Sequence, residues 1–335
     1  MKRLLIIDSH ALLHRAYHAL PSLVNYKGEP IGAIYGFASI LVSAIAKIKP
    51  DYLVACFDLP KPTLRHKKFA DYKAKRPKTP DDLIKQFTLV RRFLKNLEIP
   101  IMEKEGYEAD DAIGTITEIM FKNHKNIENI VVTGDLDTLQ LINKQTKILT
   151  PRRGVSDPIM YDEEKLKERF PGLSPDQVIE YKGLRGDPSD NIPGVPGIGE
   201  KGAIKLINKF GTIDKMYKSL ENKKEAEHFL KEKILSPSVL KKLEENKDLA
   251  FFSRELATIY RNIPIKFNLK DAEWNPNPTK TENALLDFGL RSLVRRYRAI
   301  SEGKEPSSPP RRASADQPKK EPKKETDSIR QNSLF

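Results

Sequence analysis

Short apolar runs that end in aspartate recur along this sequence and alternate with segments of helical spacing. The runs are LLIID, YLVACFD and NIVVTGD, which end at Asp8, Asp58 and Asp135. Helical spacing follows over 10–20, 31–48, 81–97 and 109–122. Alternation of this kind predicts an α/β fold, in which a mostly parallel sheet has helices on both faces and functional groups at the carboxyl ends of its strands.

Acidic side chains gather at these predicted strand ends and in two further segments, GYEADDA (106–112) and GDPSDN (186–191). The acids concerned are Asp8, Asp58, Glu108, Asp110, Asp111, Asp135, Asp137, Asp187 and Asp190. One acid in the first turn of a helix is common, because the helix dipole favours it. So many like charges in one crevice repel one another strongly unless hard cations neutralise them. Carboxylate oxygens favour Mg²⁺ or Mn²⁺ over Zn²⁺, so the pattern predicts a metal site of that kind.

Outside this acidic set the chain is basic. Its 335 residues carry a formal net charge of +13, and the 39% that are apolar can form a full core. A surplus of Lys and Arg on the remaining surface is typical of proteins that bind nucleic acid, although a solvated lysine-rich face gives the same count. The single cysteine, Cys56, excludes a disulfide within the chain. The apolar run after MKR is too short for a signal peptide or a membrane span, so we expect a cytoplasmic protein.

The second half of the sequence differs in character from the first. Its predicted helices are 162–170, 174–184, 200–209, 212–219, 223–234, 237–246 and 281–299. Its one strand-like piece is about 255–260. After residue 300 the chain is rich in Pro, Lys, Glu and Ser without apolar periodicity, which predicts a disordered tail.

The segment GVPGIGEKGA (194–203) joins two predicted helices of this second half. Gly194, Gly197 and Gly199 keep side chains away from the backbone and expose N–H groups at the start of the helix that begins near Glu200. Such a helix N-terminus binds phosphate without reading sequence. A plain turn between helices is the alternative, but PGIGEK followed by an apolar helix predicts a helix-hairpin-helix that binds the backbone of a duplex.

Basic and aromatic residues alternate between Asp58 and the helix predicted at 81. The stretch LPKPTLRHKKFADYKAKRPKTPDD includes Lys73 and Arg76 and interleaves them with Phe69 and Tyr72. Positive charge with aromatic rings suits single-stranded nucleic acid, where phosphates need cations and unstacked bases need a flat surface. A mobile solvated loop fits the composition equally well, but the position beside Asp58 favours a functional segment.

These motifs together resemble the 5'-nuclease domain found at the N-terminus of bacterial DNA polymerase I, a member of the flap endonuclease superfamily. The resemblance runs over about 2–298 and includes IIDSH, FDLPKPTLRH, YKAKRP, GYEADDAIGT, TGDLDTLQL, GDPSDNIPGVPGIGEK and LLDFGLRSLVRRY. It implies a PIN-like mixed, mostly parallel sheet flanked by helices, with a helical arch and a helical C-terminal region that contains the helix-hairpin-helix. The implied activity is structure-specific, metal-dependent hydrolysis of a phosphodiester at the base of a 5' flap.

The resemblance also implies a domain division. A catalytic domain would occupy 1–185, with the arch at about 60–96. A helical DNA-binding region would follow over 186–300, and a disordered tail over 301–335.

The resemblance assigns roles to individual residues. One Mg²⁺ would be held by Asp8, Asp58, Glu108 and Asp110 with Asp111 alongside, and a second by Asp135, Asp137, Asp187 and Asp190, with Mn²⁺ as a substitute for both. Lys73 and Arg76 match phosphate-clamping positions of the arch and would be catalytic. DNA-binding positions would be Arg15, Tyr72, Lys182, Gly194, Gly197, Gly199 and Lys201, with K⁺ at the helix-hairpin-helix. The chain departs from many relatives at His14, where they commonly have an aromatic residue, and at Leu136, where they have a basic one.

The last residues, QNSLF, are similar to the short Q-x-x-L-F peptides with which bacterial proteins dock on the sliding clamp. Gln331, Leu334 and Phe335 would make this contact. The expected partners are therefore the clamp and DNA with 5' flaps, nicks or ends, including RNA-DNA primer junctions. We expect a monomer that works at the nucleoid and does not bind a membrane. A PIN-type ribonuclease and a non-catalytic DNA-junction binding protein are the alternative functions. Whether the chain is a whole gene product or the front of a polymerase stays open.

Overall fold

The structure is a computed structural model that describes residues 1–20, 23–25, 28–151 and 158–302. Its strands are β1 (Lys2–Asp8), β2 (Tyr52–Cys56), β3 (Ile101–Met102), β4 (Ile127–Val132), β5 (Thr146–Thr150) and β6 (Ile159–Tyr161). Its α-helices are α1 (Ser9–Ala19), α2 (Gly32–Ile48), α3 (Leu64–Lys68), α4 (Asp81–Asn96), α5 (Ala109–Asn123), α6 (Glu163–Arg169), α7 (Gln177–Arg185), α8 (Glu200–Phe210), α9 (Ile213–Glu221), α10 (Lys223–Lys231), α11 (Pro237–Glu245), α12 (Lys247–Ala257), α13 (Pro278–Asp287) and α14 (Arg291–Ser301).

The strands form one sheet in the order β3-β2-β1-β4-β5-β6. The first five strands are parallel, and β6 pairs antiparallel with β5. The predicted mixed, mostly parallel sheet flanked by helices is confirmed. The sequence pattern did not reveal β5 and β6, because no acidic residue follows β5 and β6 has only three residues.

The central strand β1 is apolar on both faces because helices cover both. Leu4 and Ile6 face α5 and the helical C-terminal region, whereas Leu5 and Ile7 face α1, α2, α4, α13 and α14. All four side chains have no solvent exposure. A near-continuous apolar run is typical of a parallel strand buried in this way. The same burial places the polar residue at its end, Asp8, at an edge of the core.

The helical C-terminal region packs on the sheet through the core that contains Leu4. The helices α7 and α8 flank the Gly194–Gly199 segment, as a helix-hairpin-helix requires, and α12 packs along α7. The strand expected at 255–260 is wrong, since α12 continues to Ala257 and no strand follows it in the described chain. The helix expected over 281–299 is two helices, because Gly289 at φ +72° interrupts it.

The segment predicted as an arch has little regular structure before α4. Residues 60–80 contain the short helix α3 and a run of turns, and α4 follows at Asp81. The predicted domain limits at 185 and 300 stay a prediction. The predicted tail over 301–335, including Gln331, Leu334 and Phe335, lies outside the described residues except for Ser301 and Glu302. Within the described ranges, no helix is both long enough and apolar enough to cross a membrane.

Candidate active site

The carboxyl ends of the parallel strands place the predicted acids on one edge of the sheet. Asp8 ends β1 and lies beside Cys56 of the neighbouring strand β2. Asp58 follows Cys56 by two residues. The Oδ1 atom of Asp8 accepts a hydrogen bond from the Ala11 N–H at 3.1 Å and so caps α1. The Thr133 hydroxyl, which follows β4, donates to Asp8 Oδ2. These contacts fix the Asp8 carboxylate, which is 2% exposed, between three strands and a helix.

Further carboxylates reach the same edge from loops and helix starts. Glu108 caps α5, and the N–H of Ala109 donates to Asp58 Oδ1, which ties the two predicted ligand segments together. Asp135 opens a short 3-10 turn and accepts the Asp137 N–H at 2.9 Å. The strand-end geometry anticipated from the sequence therefore places these acids within electrostatic reach of one another.

Burial, with a smaller contribution from mutual repulsion, raises the pKa values of three acids in this set. Burial raises the pKa of Asp8 to about 7, with smaller contributions from Asp58 and Asp135. Burial, followed by Asp135 and Asp8, raises the pKa of Asp110 well above its usual range. Asp137 is raised to a pKa of about 7 by burial and by Asp135, against the opposing effect of Lys182. Such a set favours a bound cation, which would stabilise the charged forms.

Protein cations already occupy part of the crevice. Lys73 Nζ lies 2.7 Å from Glu108 Oε1 and 3.8 Å from Asp190 Oδ2, and Arg76 forms an ion pair with the same Asp190. The Lys73 N–H also donates to the Asp190 carbonyl oxygen at 2.9 Å, and Lys73 adopts a left-handed φ of +57°. The basic segment is thus fastened directly onto the turn that carries Asp187 and Asp190.

Lys182 lies within the crevice and contacts two of the predicted metal ligands. It is 7% exposed, and its Nζ lies between Asp137 and Asp187, at 2.6 Å from Asp187 Oδ2. Burial opposes ionisation of Asp187, but Lys182 outweighs it and lowers the pKa of that carboxyl to about 2. Its charge is directed at two predicted metal ligands in this structure, and the predicted contact of Lys182 with DNA stays a prediction.

The predicted carboxylate ligands have the chemistry that divalent ions prefer, but their side chains are not arranged to hold an ion in this structure. All the acids concerned offer carboxylate oxygens, and Asp8, Asp110 and Asp137 have the raised pKa values expected of an uncompensated cluster. Over the part of the chain that the structure describes, no three His, Cys, Asp or Glu side chains converge closely enough to hold an ion. The contacts of Glu108 and Asp190 with Lys73 and Arg76, and of Asp137 and Asp187 with Lys182, account for this.

Asp111 does not belong to this crevice. Its side chain has no solvent exposure, and both carboxylate oxygens accept from the Arg65 guanidinium at 2.8 Å. They also accept the N–H groups of Glu108 at 3.0 Å and Tyr260 at 2.9 Å. Hydrogen bonds within the protein occupy both oxygens, so the structure places Asp111 apart from the other acids, and its predicted role beside the first metal stays a prediction. Sequence reasoning missed Arg65 as its partner, since a buried arginine in a basic segment has no distinct pattern.

We expect Asp111→Ala to destabilise the fold strongly. Removing one partner of a buried ion pair leaves an uncompensated charge, which typically costs about 3–5 kcal/mol. Urea unfolding followed by circular dichroism measures this loss. Glu105→Ala is the matched control, since Glu105 pairs with Lys61 on the surface and should change stability little. If Asp111→Ala unfolds like the wild type but binds divalent ions more weakly, the metal assignment would be supported.

Tyr72 and Phe69 are not available to stack on bases. Tyr72 is 3% exposed, and its hydroxyl donates toward Asp190 Oδ2 at 3.1 Å and Glu108 Oε2 at 3.2 Å. The ring of Phe69 packs edge-on against Phe252, with centroids 5.6 Å apart. The two rings anchor the basic segment to the protein in this structure, and the predicted DNA-contacting role of Tyr72 stays a prediction.

The hairpin glycines divide into two kinds. Gly194 is buried at φ +64°, where a Cβ would lie 2.2 Å from the Gly186 nitrogen, and its N–H donates to Ser253 Oγ at 2.9 Å. That N–H already has a partner in this structure, and the predicted phosphate contact of Gly194 stays a prediction. Gly197 and Gly199 are exposed, and a Cβ on Gly199 would meet open space, so both leave the start of α8 accessible.

Basic residues line the approach to the crevice. Lys201 is exposed in the first turn of α8. A cavity of about 380 Å³ opens beside the second group of predicted ligands. Its lining combines Asp135, Asp137 and Asp187 with Arg15, Arg169, Lys182 and Arg185. Arg15 lies next to the acids in this lining, and its predicted contact with DNA stays a prediction, whereas Arg169 and Arg185 were not anticipated.

Two family models match this chain over most of its length. The model described as 5'-3' exonuclease, N-terminal resolvase-like domain, matches residues 3–171, and the one described as 5'-3' exonuclease, C-terminal SAM fold, matches residues 173–280. DNA polymerase I of Bacillus subtilis is 39% identical over 88% of the chain, and the 5'-3' exonuclease of Aquifex aeolicus is 34% identical over 88%. The chain spans 32% of the Bacillus polymerase, as it does about a third of the other polymerase relatives, and 95% of the Aquifex protein.

Solved structures share the same fold at low sequence identity. The bacteriophage T5 5'-exonuclease with bound divalent metal ions (zinc) has a TM-score of 0.61 at 20% identity, covering 90% of this chain and 99% of that one. The catalytic core of Rad2 in complex with a DNA substrate has a TM-score of 0.56 at 19% identity, covering 90% of each chain. The likeness extends over both the sheet and the helical C-terminal region.

Proposed function

The chain belongs to the 5'-3' exonuclease family, and from that premise we propose that it is a structure-specific 5'-to-3' exonuclease and 5'-flap endonuclease. It hydrolyses phosphodiester bonds of DNA, and of RNA primers at RNA-DNA junctions, in replication and repair. The observation that carries this proposal is the crevice at the carboxyl edge of the sheet, where Asp8, Asp110 and Asp137 have raised pKa values beside the basic segment of Lys73 and Arg76.

Two Mg²⁺ ions are the proposed cofactors, with Mn²⁺ as a substitute. Asp8, Asp58, Glu108 and Asp110 would hold one, and Asp135, Asp137, Asp187 and Asp190 the other. Bound divalent ions supply a water of lowered pKa as nucleophile and stabilise the leaving oxygen. The chain contributes the fixed carboxylates: Ala11 and Thr133 orient Asp8, and the Ala109 N–H orients Asp58. The zinc-bound T5 relative supports divalent metals in this fold.

Cations of the chain have a second role once DNA enters. Lys73 and Arg76 would exchange their contacts with Glu108 and Asp190 for the scissile phosphate and so place it over the acids. Gly197, Gly199 and Lys201 at the start of α8, together with Arg15, would bind the backbone elsewhere without reading sequence. K⁺ at the hairpin remains a proposal, and the Gly197 carbonyl oxygen already faces a cation, since Lys242 Nζ lies 3.5 Å away.

A PIN-type ribonuclease and a non-catalytic junction binder are the alternatives. The helix-hairpin-helix opposes the first, since it suits a duplex backbone rather than single-stranded RNA. The complete set of acids opposes the second, since a protein that only binds would gain from losing charges that repel phosphate. A monomer in the cytoplasm, working at the nucleoid, is the proposed state.

Product mapping on three labelled substrates tests the proposal. A 5'-flap duplex should be cut at the base of the flap, and the same flap made of RNA should be cut at the same place. Single-stranded RNA should be a poor substrate. Cleavage of single-stranded RNA in preference to the flap would favour the ribonuclease, and binding of the flap without any cleavage would favour the junction binder.

The tail beyond the described residues is proposed to dock on the sliding clamp. Leu334 and Phe335 would fill an apolar pocket while Gln331 fixes orientation, so few side chains carry most of the energy. Because ordering a flexible peptide is costly, micromolar affinity is expected. The tether would hold the nuclease at high effective concentration near flaps.

We expect deletion of 331–335 to leave activity on naked flap DNA unchanged and to remove stimulation by the clamp. Flap cleavage with and without clamp loaded on the DNA measures both effects. Gln317→Ala, at a polar site in the same tail, is the control that should keep the stimulation. A tail peptide that does not bind the clamp at millimolar concentration would reduce the QNSLF motif to coincidence.

A further inference from the structure

The turn that carries Asp187 and Asp190 is closed on itself by main-chain hydrogen bonds. The Asp187 N–H donates to the Ile192 carbonyl oxygen at 2.9 Å, and the Ile192 N–H donates to the Asp187 carbonyl oxygen at 2.8 Å. Asn191 lies inside this loop at a left-handed φ of +58°. Asparagine tolerates that conformation better than most residues that have a side chain. We refer to residues 187–192 as the ligand turn.

Asn191 links the ligand turn to the basic segment that contains Lys73 and Arg76. Its Nδ2 atom donates to the Asp71 carbonyl oxygen at 2.8 Å. Two residues further along the segment, the Lys73 N–H donates to the Asp190 carbonyl oxygen at 2.9 Å. Each of these two hydrogen bonds uses a main-chain group of the basic segment. Together they fix the backbone of the segment at the point from which the two cations extend.

Ion pairs between the same two stretches of chain would break in the proposed reaction. Lys73 and Arg76 both pair with Asp190 in this structure. When DNA and metal bind, Asp190 would turn to an ion and both cations to the scissile phosphate. The two hydrogen bonds to the main chain of the segment involve no charged group, so they can stay formed throughout. Only the one from Asn191 depends on a side chain that can be substituted.

We propose that Asn191 is a positioning residue, whose amide holds the basic segment in register with the ligand turn so that Lys73 and Arg76 meet the scissile phosphate. In this role Asn191 touches neither the phosphate nor a metal ion, and it acts through the two cations. A shift of about 1 Å in groups that position a substrate can slow a reaction by about 100-fold. The proposal rests on the proposed function as a flap nuclease and adds a residue to its machinery.

Asn191→Gly tests this role, because glycine keeps the left-handed φ and removes the amide group. We expect the single-turnover rate on a 5' flap to fall by about tenfold, while the dissociation constant measured in chelator stays within about twofold of wild type. Trypsin should also cut the free protein faster after Lys73 and Lys75, since the segment is held less firmly. Mass spectrometry of the fragments measures this effect without any cleavage of DNA.

Lys49→Gly is the matched control for the backbone change. Lys49 also has a left-handed φ, at +49°, but it lies just before β2, at the amino edge of the sheet and away from the crevice. Its replacement should leave the cleavage rate and the trypsin cuts after Lys73 and Lys75 unchanged.

A second comparison separates positioning from a general effect on the fold. Asn191→Gly is added to a variant that already carries Lys73→Ala and Arg76→Ala. It should cause no further loss of rate there, because the side chains that it positions are absent, and mutations that act through one shared group are not additive.

Two results would overturn the proposal. One is a wild-type single-turnover rate for Asn191→Gly. The other is the same fold loss of rate with and without the two cations, which would make the amide only a structural link. A failure of the proposed function is separate, because it would appear as wild-type protein that does not cleave the flap.

Discussion

We expect Asp110→Ala to abolish flap cleavage while DNA binding stays intact or improves. The Asp110 carboxylate accepts no hydrogen bond from the described residues, and its pKa is raised by burial and by Asp135 and Asp8, so its charge serves no structural contact. Removing it takes away a proposed metal ligand and a charge that repels phosphate. The same result is expected for Asp58→Ala. Single-turnover cleavage and binding of a labelled flap measure the two effects separately.

Glu118→Ala is the matched control for Asp110→Ala. Glu118 lies on the same helix, α5, but pairs with Lys122 on the surface, so its loss should leave cleavage unchanged. The adjacent Asp111 makes a second comparison, since its loss should act through stability instead of chemistry. Turnover within a few-fold of wild type for Asp110→Ala in Mg²⁺ would remove that residue from the metal site.

Lys73→Ala and Arg76→Ala should slow flap cleavage by orders of magnitude and weaken duplex binding only modestly. Both cations lie against Glu108 and Asp190, at the entrance to the acids, where a phosphate would be positioned for attack. Affinity is spread over α8 and other basic contacts, so each loss should change the salt slope by about one. Single-turnover rates at saturating enzyme, compared with dissociation constants, separate these contributions.

The neighbouring Lys75→Ala is the control for the basic segment. Lys75 is exposed two residues from Lys73 and should contribute only weakly to both quantities. If Lys73→Ala and Arg76→Ala lose binding and rate in the same proportion, the segment is an anchor for DNA and does not position the scissile phosphate.

The strand-end acids could be predicted because they follow from local pattern. A buried parallel strand must be apolar throughout, so LLIID and YLVACFD show both where the strand lies and which residue emerges at its end. Neighbouring parallel strands deliver those residues to one edge, which is what Asp8 and Asp58 do. The four helices that follow the strands were equally visible, since their apolar spacing is long and regular.

Long-range partners could not be predicted in the same way. Asp110 and Asp111 are adjacent in sequence and alike in chemistry, yet Arg65 engages only Asp111. From the sequence alone, Tyr72 and Lys182 suit contacts with DNA. In the tertiary structure Tyr72 contacts Asp190 and Lys182 contacts Asp137. Each outcome depends on a contact between residues more than 40 positions apart, and no periodicity encodes that.

Short apolar segments misled the sequence analysis for a related reason. Residues near 255–260 alternate like a strand, but the apolar face of α12 packs on α7, and the helix continues to Ala257. Periodicity over so few residues does not separate the two structures. A single residue explains the other difference. Gly289 at positive φ divides one predicted helix into α13 and α14.

Metal dependence of flap cleavage tests the central claim most directly. An end-labelled 5' flap is incubated with the protein in chelator, and Mg²⁺ or Mn²⁺ is then added in excess. The proposed function predicts no product in chelator and a cut at the base of the flap once either ion is present. Cleavage at the same rate in chelator would contradict the assignment of the carboxylate crevice as a metal-dependent nuclease site.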